Sequence, residues 1–388
     1  MRDPGLIVVD RGWRGERVSA TELRLAGGVG LRADGPRAVV VRDVVAQARL
    51  LSGASLGGLV VLTNVACRSG RGSARADGAW RAQVVTPAGR AAPEHDFDAG
   101  VRVEVEVVAD VAGPPDALDQ LYAAALEVDL VADGVTGRGV VRHHALVPLA
   151  FPDPAAGAPW RSAAPAGTLV KPIRTHLLGP SDDPAEVVGR YALPHARPGD
   201  VVAMGESPLA IMQGRFCDPR QLRPGWAATR LSQFLSGEGS LGTAGGMEVL
   251  VGELGPLRVA AALAGGLAGK VAGRDGWFYR LAGRQASLVD DVTGSLPPYD
   301  RLVVSGPHRA MEVCAEVTAA TGLAAAVVDA NDLGFVDVVG ASPGVSEHLV
   351  VEALRTNPAG NADETTPLVL IRPPSGPTGA GGPAAGEG

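Results

Sequence analysis

Alternation at a period of two runs through Val101 to Val111, VRVEVEVVADV, and predicts a strand with one buried and one wet face. The shorter β-branched runs Gly5 to Asp10, Ala38 to Val45 and Val140 to Pro148 predict further strands, and Gly58 to Asn64, GLVVLTN, a strand buried on both faces. Between them the spacing changes. Pro114 to Val131 sets Leu118, Leu121, Tyr122, Ala125 and Leu126 at helical intervals behind a proline, which predicts a helix. The first 150 residues therefore read as mixed α and β, with no motif that names them.

The pattern after Gly167 is easier to parse. Asp183 to Tyr191 opens on Asp-Pro, a helix start, and Asp200 to Met204 is a short buried strand leading into Gly205. Pro307 to Thr321 predicts a helix whose apolar face is Met311, Val313, Cys314 and Val317, ended by Gly322. Ala324 to Val328 is a strand running into Asp329, Val345 to Leu354 a helix stopped at Asn357-Pro358, and Leu368 to Ile371 a last strand. Two composition breaks divide the chain: Phe151 to Gly167 is rich in Pro and Ala, and Pro373 to Gly388 has nothing to bury. The expected organisation is a mixed α/β (α+β) chain. It has an N-terminal domain over 1–150 of unknown role, a linker over 151–167, a second domain over 168–372 and a disordered tail over 373–388.

Composition changes this picture in three places. The 388 residues carry a net charge of −7, which disfavours a grip on nucleic acid phosphates. Only Lys171 and Lys270 are lysines among 35 basic residues, so in this arginine-rich, glycine-rich chain a lysine carries more information than a glycine motif. Charges break every apolar stretch: Asp3, Asp10, Arg11, Arg14 and Glu16 in the first 18 residues, Glu253 and Arg258 inside Val249 to Gly269. With three widely spaced cysteines and no metal-type Cys spacing, the expectation is a cytoplasmic protein off the membrane.

Four segments could carry chemistry. Asp329-Ala330-Asn331-Asp332-Leu333-Gly334 offers oxygen ligands at a strand end, suited to magnesium or manganese, and suits equally an Asx-turn. Asn357 to Pro367 holds Asn361, Asp363, Glu364, Thr365 and Thr366 in a polar loop fit for phosphates or a metal, or simply solvated. Glu206-Ser207 follows a buried strand. Lys270 ends LAGGLAGK, a failed Walker A pattern that still offers a phosphate contact. Lys171, Arg174, Thr175 and His176 in KPIRTH form a candidate basic clamp. The adjacent His143 and His144 would point to opposite faces of a strand, and read as surface or satisfied core residues rather than joint ligands.

Taken in order, KPIRTHLLGPSDD, RPGDVVAMGESPLAIMQGR, GWFYRLAG, LPPYD, VVDANDLG and NPAGNADETTP resemble the bacterial branch of the coenzyme F420-0:L-glutamate ligase family, the gamma-glutamyl ligases, over about Lys171 to Arg372. The resemblance implies a GTP- (or ATP-) dependent ligase with Mg2+ or Mn2+ that joins an amino acid such as L-glutamate to a small-molecule carboxylate through an acyl phosphate. It also implies an intertwined homodimer. On it, Asp329, Asp332, Asp363 and Glu364 would hold metal. Ser207, Asn331, Asn361, Thr365 and Thr366 would contact the nucleotide, and Glu206 and Lys270 would serve catalysis. Glu206-Ser207 stands where the family has Ser-Lys, and SLGTAGGM at 240–247 lacks the acids expected there. Those departures, with the added N-terminal domain, point to a carboxylate other than the F420 precursor. They also keep open a catalytically inactive paralogue that serves as a nucleotide-binding or scaffold protein.

Overall fold

The computed structural model describes residues 6–33, 39–53, 58–70, 79–82, 88–91, 95–97, 102–134, 137–219, 222, 224–233, 244–271, 281, 296–360 and 365–374. The chain divides into two compact units that are interleaved in sequence. One comprises Met1–Phe151, His176–Asp182 and Ala210–Gly306, the other Pro152–Thr175, Asp183–Leu209 and Pro307–Gly388.

The first unit is built on ten strands: β1 (Leu6–Ser19), β2 (Glu22–Ala33), β3 (Val39–Ser52), β4 (Val60–Gly70), β5 (Ala79–Ala82), β6 (Ala88–Ala91), β7 (His95–Phe97), β8 (Arg102–Ala112), β9 (Leu121–Gly134) and β10 (Gly137–Pro148). They form two five-stranded sheets, one ordered β1-β2-β8-β4-β5, the other β10-β9-β3-β6 with β7 also on β3. All described pairings within them are antiparallel. One core joins the sheets: Leu25, Val29 and Leu31 from β2, Val41 and Val44 from β3, Val105 and Val107 from β8, Leu126, Val128 and Leu130 from β9. This is a β-sandwich.

The mixed α/β expectation for these residues is therefore corrected. The predicted helix over Pro114 to Val131 is one turn, Pro115–Asp119, followed at once by β9. From Ala124 the buried positions are Ala124, Leu126, Val128, Leu130 and Ala132, a strict period of two. The helical spacing arose only by reading Leu118 together with residues across the boundary. β8 has the predicted wet face. β4 has one too: Thr63 and Val65 are buried while Val60 and Leu62 are exposed.

The segment Ala210–Gly306 belongs to the same unit. Helices Trp226–Ser232, Ala244–Leu254 and Pro256–Val271 pack through Ala228, Met247, Leu250 and Val259. A two-stranded ribbon pairs Phe216–Cys217 with Val303–Val304. Just after its first strand, Asp218 accepts a 2.9 Å bond from Arg142 on β10. Arg142 also engages Asp129 and lies 3.0 Å from Glu127, both on β9. Tyr299 is fully buried against Leu51 and Leu146, and its hydroxyl donates to the Leu178 carbonyl at 2.8 Å. No single helix among the described residues is long and apolar enough to cross a membrane; Ala244–Gly252 and Pro256–Gly266 reach that length only as a pair bent by 119°.

The second unit is one six-stranded mixed sheet. Its strands are β11 (Arg161–Ala163), β12 (Thr168–Ile173), β13 (Val201–Gly205), β14 (Ala324–Ala330), β15 (Val336–Ala341) and β16 (Leu368–Arg372), in the order β11-β12-β16-β13-β14-β15. β13 and β14 are parallel; the other pairs are antiparallel. Helices Pro184–Tyr191, Ala310–Thr321 and Glu347–Leu354 form where predicted. Asp183 caps the first by accepting from the amides of Ala185 and Glu186, and Gly322 ends the second at φ 74°. On that second helix Cys314 and Val317 are buried, but Met311 is exposed. The segment read as a linker contributes β11, and Trp160 beside it stacks under the Arg372 guanidinium at 3.9 Å. The tail from 375 onward lies outside the described residues.

Asp218 is almost wholly buried, its side chain 1% exposed, and Arg142 is its cation. Removing one partner of a buried ion pair strands the other. Arg142→Met should lower unfolding free energy by about 3–5 kcal/mol, as chemical denaturation would show. A loss below about 1 kcal/mol, the range of an exposed pair, would contradict this.

Candidate functional site at the sheet edge

Four strand ends of the second unit meet along one edge of its sheet. Ile173, the last residue of β12, is opposite Leu368, the first of β16, and Met204 of β13 faces Leu368 from the other side. Gly205 then pairs with Val328 of β14. The segments adjoining those positions leave the sheet together: Arg174-Thr175, Glu206-Ser207, Asp329 to Asp332, and Thr365-Thr366. Three of these, at β12, β13 and β14, are carboxyl ends of strands, where ligands of open α/β sheets gather; the fourth is the amino end of β16.

Hydrogen bonds fix the four ends to one another. The Thr175 amide donates to the Thr365 carbonyl at 3.0 Å, Arg174 Nε donates to Thr365 Oγ1 at 3.1 Å, and the Gly205 amide donates to the Pro367 carbonyl at 3.0 Å. Thr366 Oγ1 donates to the Ala359 carbonyl. Glu206 begins the helix Glu206–Met212 and is buried, with Ser207 Oγ donating to its Oε1 at 2.9 Å.

The turn between β14 and β15 places three acids close together. Asp329 is directly opposite Asp337 in the register. Asn331 Oδ1 accepts from the amides of Leu333 at 3.0 Å and Phe335 at 3.2 Å, so the Asx-turn weighed as its alternative is present. Asp332 Oδ1 accepts from Asn357 Nδ2 at 2.8 Å. Asn357 has φ 43° and Thr365 φ 51°, two of the three described non-glycine residues at positive φ. A β-branched residue there is held against its preference, and such strain concentrates at ligand sites.

Seven residues singled out from sequence thus share one edge: Glu206, Ser207, Asp329, Asn331, Asp332, Thr365 and Thr366. Asn361, Asp363 and Glu364 lie outside the described residues. Lys270 belongs to the first unit, on the helix Pro256–Val271. The proposed clamp is divided. Arg174 and Thr175 are at the edge, but Lys171 is buried and donates to the Ala158 carbonyl at 2.6 Å, with burial pulling its pKa down. His176, in the first unit, meets Asp182 Oδ1 at 2.9 Å. Sequence reasoning missed Asp337; its signal was symmetry about Leu333, which sets Asp329 and Asp337 across one hairpin.

In the first unit the two histidines separate as expected of strand neighbours. His143 Nε2 meets Asp10 Oδ2 at 3.1 Å, while His144 joins Glu127 and Asp218. Burial pushes the His144 pKa down to about 4.

Residues 8–151 match the family described as F420-0:gamma-glutamyl ligase, N-terminal Ig-like domain. The N-terminal sandwich is similar to that family's Ig-like domain. The match spans just over a third of the chain and supports the gamma-glutamyl ligase resemblance drawn from the other end of it. It also corrects one inference. Residues 8–151 are similar to a domain that the ligase family already has, so their presence alone gives no reason to expect a different pathway.

No curated protein sequence matches the chain. Similar solved structures cover about two fifths of this chain. The GAE domain of GGA2p from Saccharomyces cerevisiae is 9% identical over 39% of this chain and 94% of that one, with a TM-score of 0.19. The collagen-binding subdomain of the Enterococcus faecalis surface protein ACE is 10% identical over 38% and 100%, at 0.22. The collagen-binding domain of a Staphylococcus aureus adhesin is 8% identical over 38% and 100%, also at 0.22.

Because Asn331 Oδ1 closes the turn, Asn331→Ala should cost about 1–2 kcal/mol by denaturation whether or not nucleotide is present, and Asn331→Asp, which keeps an acceptor, less. Equal stability of the alanine variant and the parent would free Asn331 from this structural role.

Proposed function

We propose that the protein is an NTP-dependent ligase of the gamma-glutamyl type, joining an amino acid to a small-molecule carboxylate, with the sheet edge of the second unit as its nucleotide and metal site. One observation carries the reading. Four carboxylates, Glu206, Asp329, Asp332 and Asp337, gather at one end of the sheet with the hydroxyls of Thr365 and Thr366 and the guanidinium of Arg174, in a chain whose residues 8–151 match a ligase family's N-terminal domain.

The donor set suits the groups the reading needs. Carboxylate and hydroxyl oxygens without imidazole or thiol favour a hard cation, Mg2+ or Mn2+. Asp329 and Asp332 would hold it, with Asp363 and Glu364 as further candidates. Arg174 would take a phosphate oxygen, the role left vacant where Glu206-Ser207 replaces Ser-Lys, and Thr365, Thr366 and Ser207 would orient the phosphates. GTP or ATP supplies the phosphoryl group that turns the acceptor carboxylate into an acyl phosphate. The incoming amine attacks that carbonyl, phosphate leaves, and Glu206 takes the ammonium proton. Arg174 gathers the negative charge that builds during transfer. Lys270 stays a candidate phosphate contact, and the homodimer a part of this proposal.

The scaffold reading has one observation in its favour: the Asn331 oxygen and Asp332 already serve the turn and its Asn357 partner. Binding decides between them. Thermal shift with GTP, ATP and GDP, each with and without Mn2+ or Mg2+, should show metal-dependent stabilisation of about 2.7 kcal/mol at a hundredfold excess over the dissociation constant. Asp332→Asn should reduce it by tenfold or more in affinity while leaving the unliganded stability within about 0.5 kcal/mol. With F420-0, glutamate, GTP and Mn2+, a glutamylated product by mass spectrometry would name the acceptor. No stabilisation by any nucleotide would overturn the ligase reading.

A further inference from the structure

In the first unit, three ligating side chains converge that the proposed ligase chemistry does not use. His144 of β10 is directly opposite Glu127 of β9, and Asp218 reaches them from the loop after Phe216–Cys217. One ligand atom of each lies within 4.8 Å of the other two. Metal bonds of about 2.1 Å set ligand atoms about 3–4 Å apart, so side-chain rotation of about 1 Å closes the set on an ion.

Charge points the same way. Arg142 meets three carboxylates, Asp129 through both of its oxygens, Glu127 at 3.0 Å and Asp218 at 2.9 Å. The Asp218 side chain is only 1% exposed. A carboxylate out of water needs a cation beside it, and Arg142 holds these carboxylates in place. His144 supplies a second, independent sign. Its Nε2 is buried without a hydrogen-bond partner, and its Nδ1 lies 4.0 Å from Glu127 Oε2, beyond hydrogen-bond reach. A buried imidazole nitrogen without a partner is rare in a finished core.

We propose that Glu127, His144 and Asp218 form a divalent-cation site that fastens the segment Ala210–Gly306 to the sandwich, with Arg142 bracing the carboxylates from the outer shell. One imidazole and two carboxylates select Mn2+ or Zn2+ over Mg2+ and Ca2+, which prefer oxygen alone. An outer-shell partner that orients ligating carboxylates is a usual companion of such ions. The site needs no nucleotide and stands apart from the reading of the sheet edge.

The test is a titration of the full, EDTA-stripped chain with Mn2+ by electron paramagnetic resonance and with Zn2+ by calorimetry, in excess Mg2+. One ion per chain should bind with a dissociation constant of about 10 μM or tighter. Asp332→Asn should leave that ion unchanged, and His144→Gln should weaken it at least tenfold. Spin-echo spectra of the bound Mn2+ should show imidazole nitrogen, a readout that holds even if a variant fails to fold. No ion on the parent, equal binding by His144→Gln, or a spectrum without nitrogen would each overturn the proposal.

Discussion

The insertion of β16 between β12 and β13 is the constraint on which the second unit depends. Leu368, Val369, Leu370 and Ile371 are all buried, and each pairs on both sides with strands about 165 to 200 positions earlier. Arg372 locks the far end with two bonds to Asp200, at 2.9 and 2.7 Å, and stacks on Trp160. With that end fixed, the near end has little freedom. Thr365 and Thr366 must leave the sheet beside Arg174 and Gly205, which is why residues 191 apart in sequence share a hydrogen bond.

A strand held this firmly can keep strained residues at its mouth. Thr365 at φ 51° would relax if its backbone were free, yet its carbonyl is tied to the Thr175 amide and its hydroxyl to Arg174. The strain and the concentration of acids are two faces of one arrangement. Asp329, Asp332 and Asp337 come from one hairpin, and the pairing of β13 with β14 brings Glu206 beside it. On the proposed reading, a bound cation would offset the repulsion among these acids.

Much of this edge was legible in the sequence because each piece is local. A buried strand ending in Gly205-Glu206, another ending in Asp329, and a polar loop before LVLI are read from short windows. The pairings were not legible: nothing local says that β12 and β13 share β16, or that Asp337 faces Asp329. The sandwich shows the opposite failure. Leu118 and Leu121 lie three apart, as in a helix, but Gln120 ends a single turn and β9 takes over with its own period. Tertiary burial of Leu126, Val128 and Leu130 in the sandwich outweighs helix propensity there. The likeness to the ligase family was legible only in the other end of the chain. Arg142 and Asp218, 76 positions apart, gave no signal at all.

Hydrogen exchange with and without GTP and Mn2+ tests the central claim directly, since protection reports which backbone segments a ligand closes. The account predicts that peptides containing Arg174-Thr175, Glu206-Ser207, Asp329 to Phe335 and Thr365-Thr366 gain protection together, while β1 to β10 stay unchanged. Protection confined to other segments, or none at these four, would contradict it.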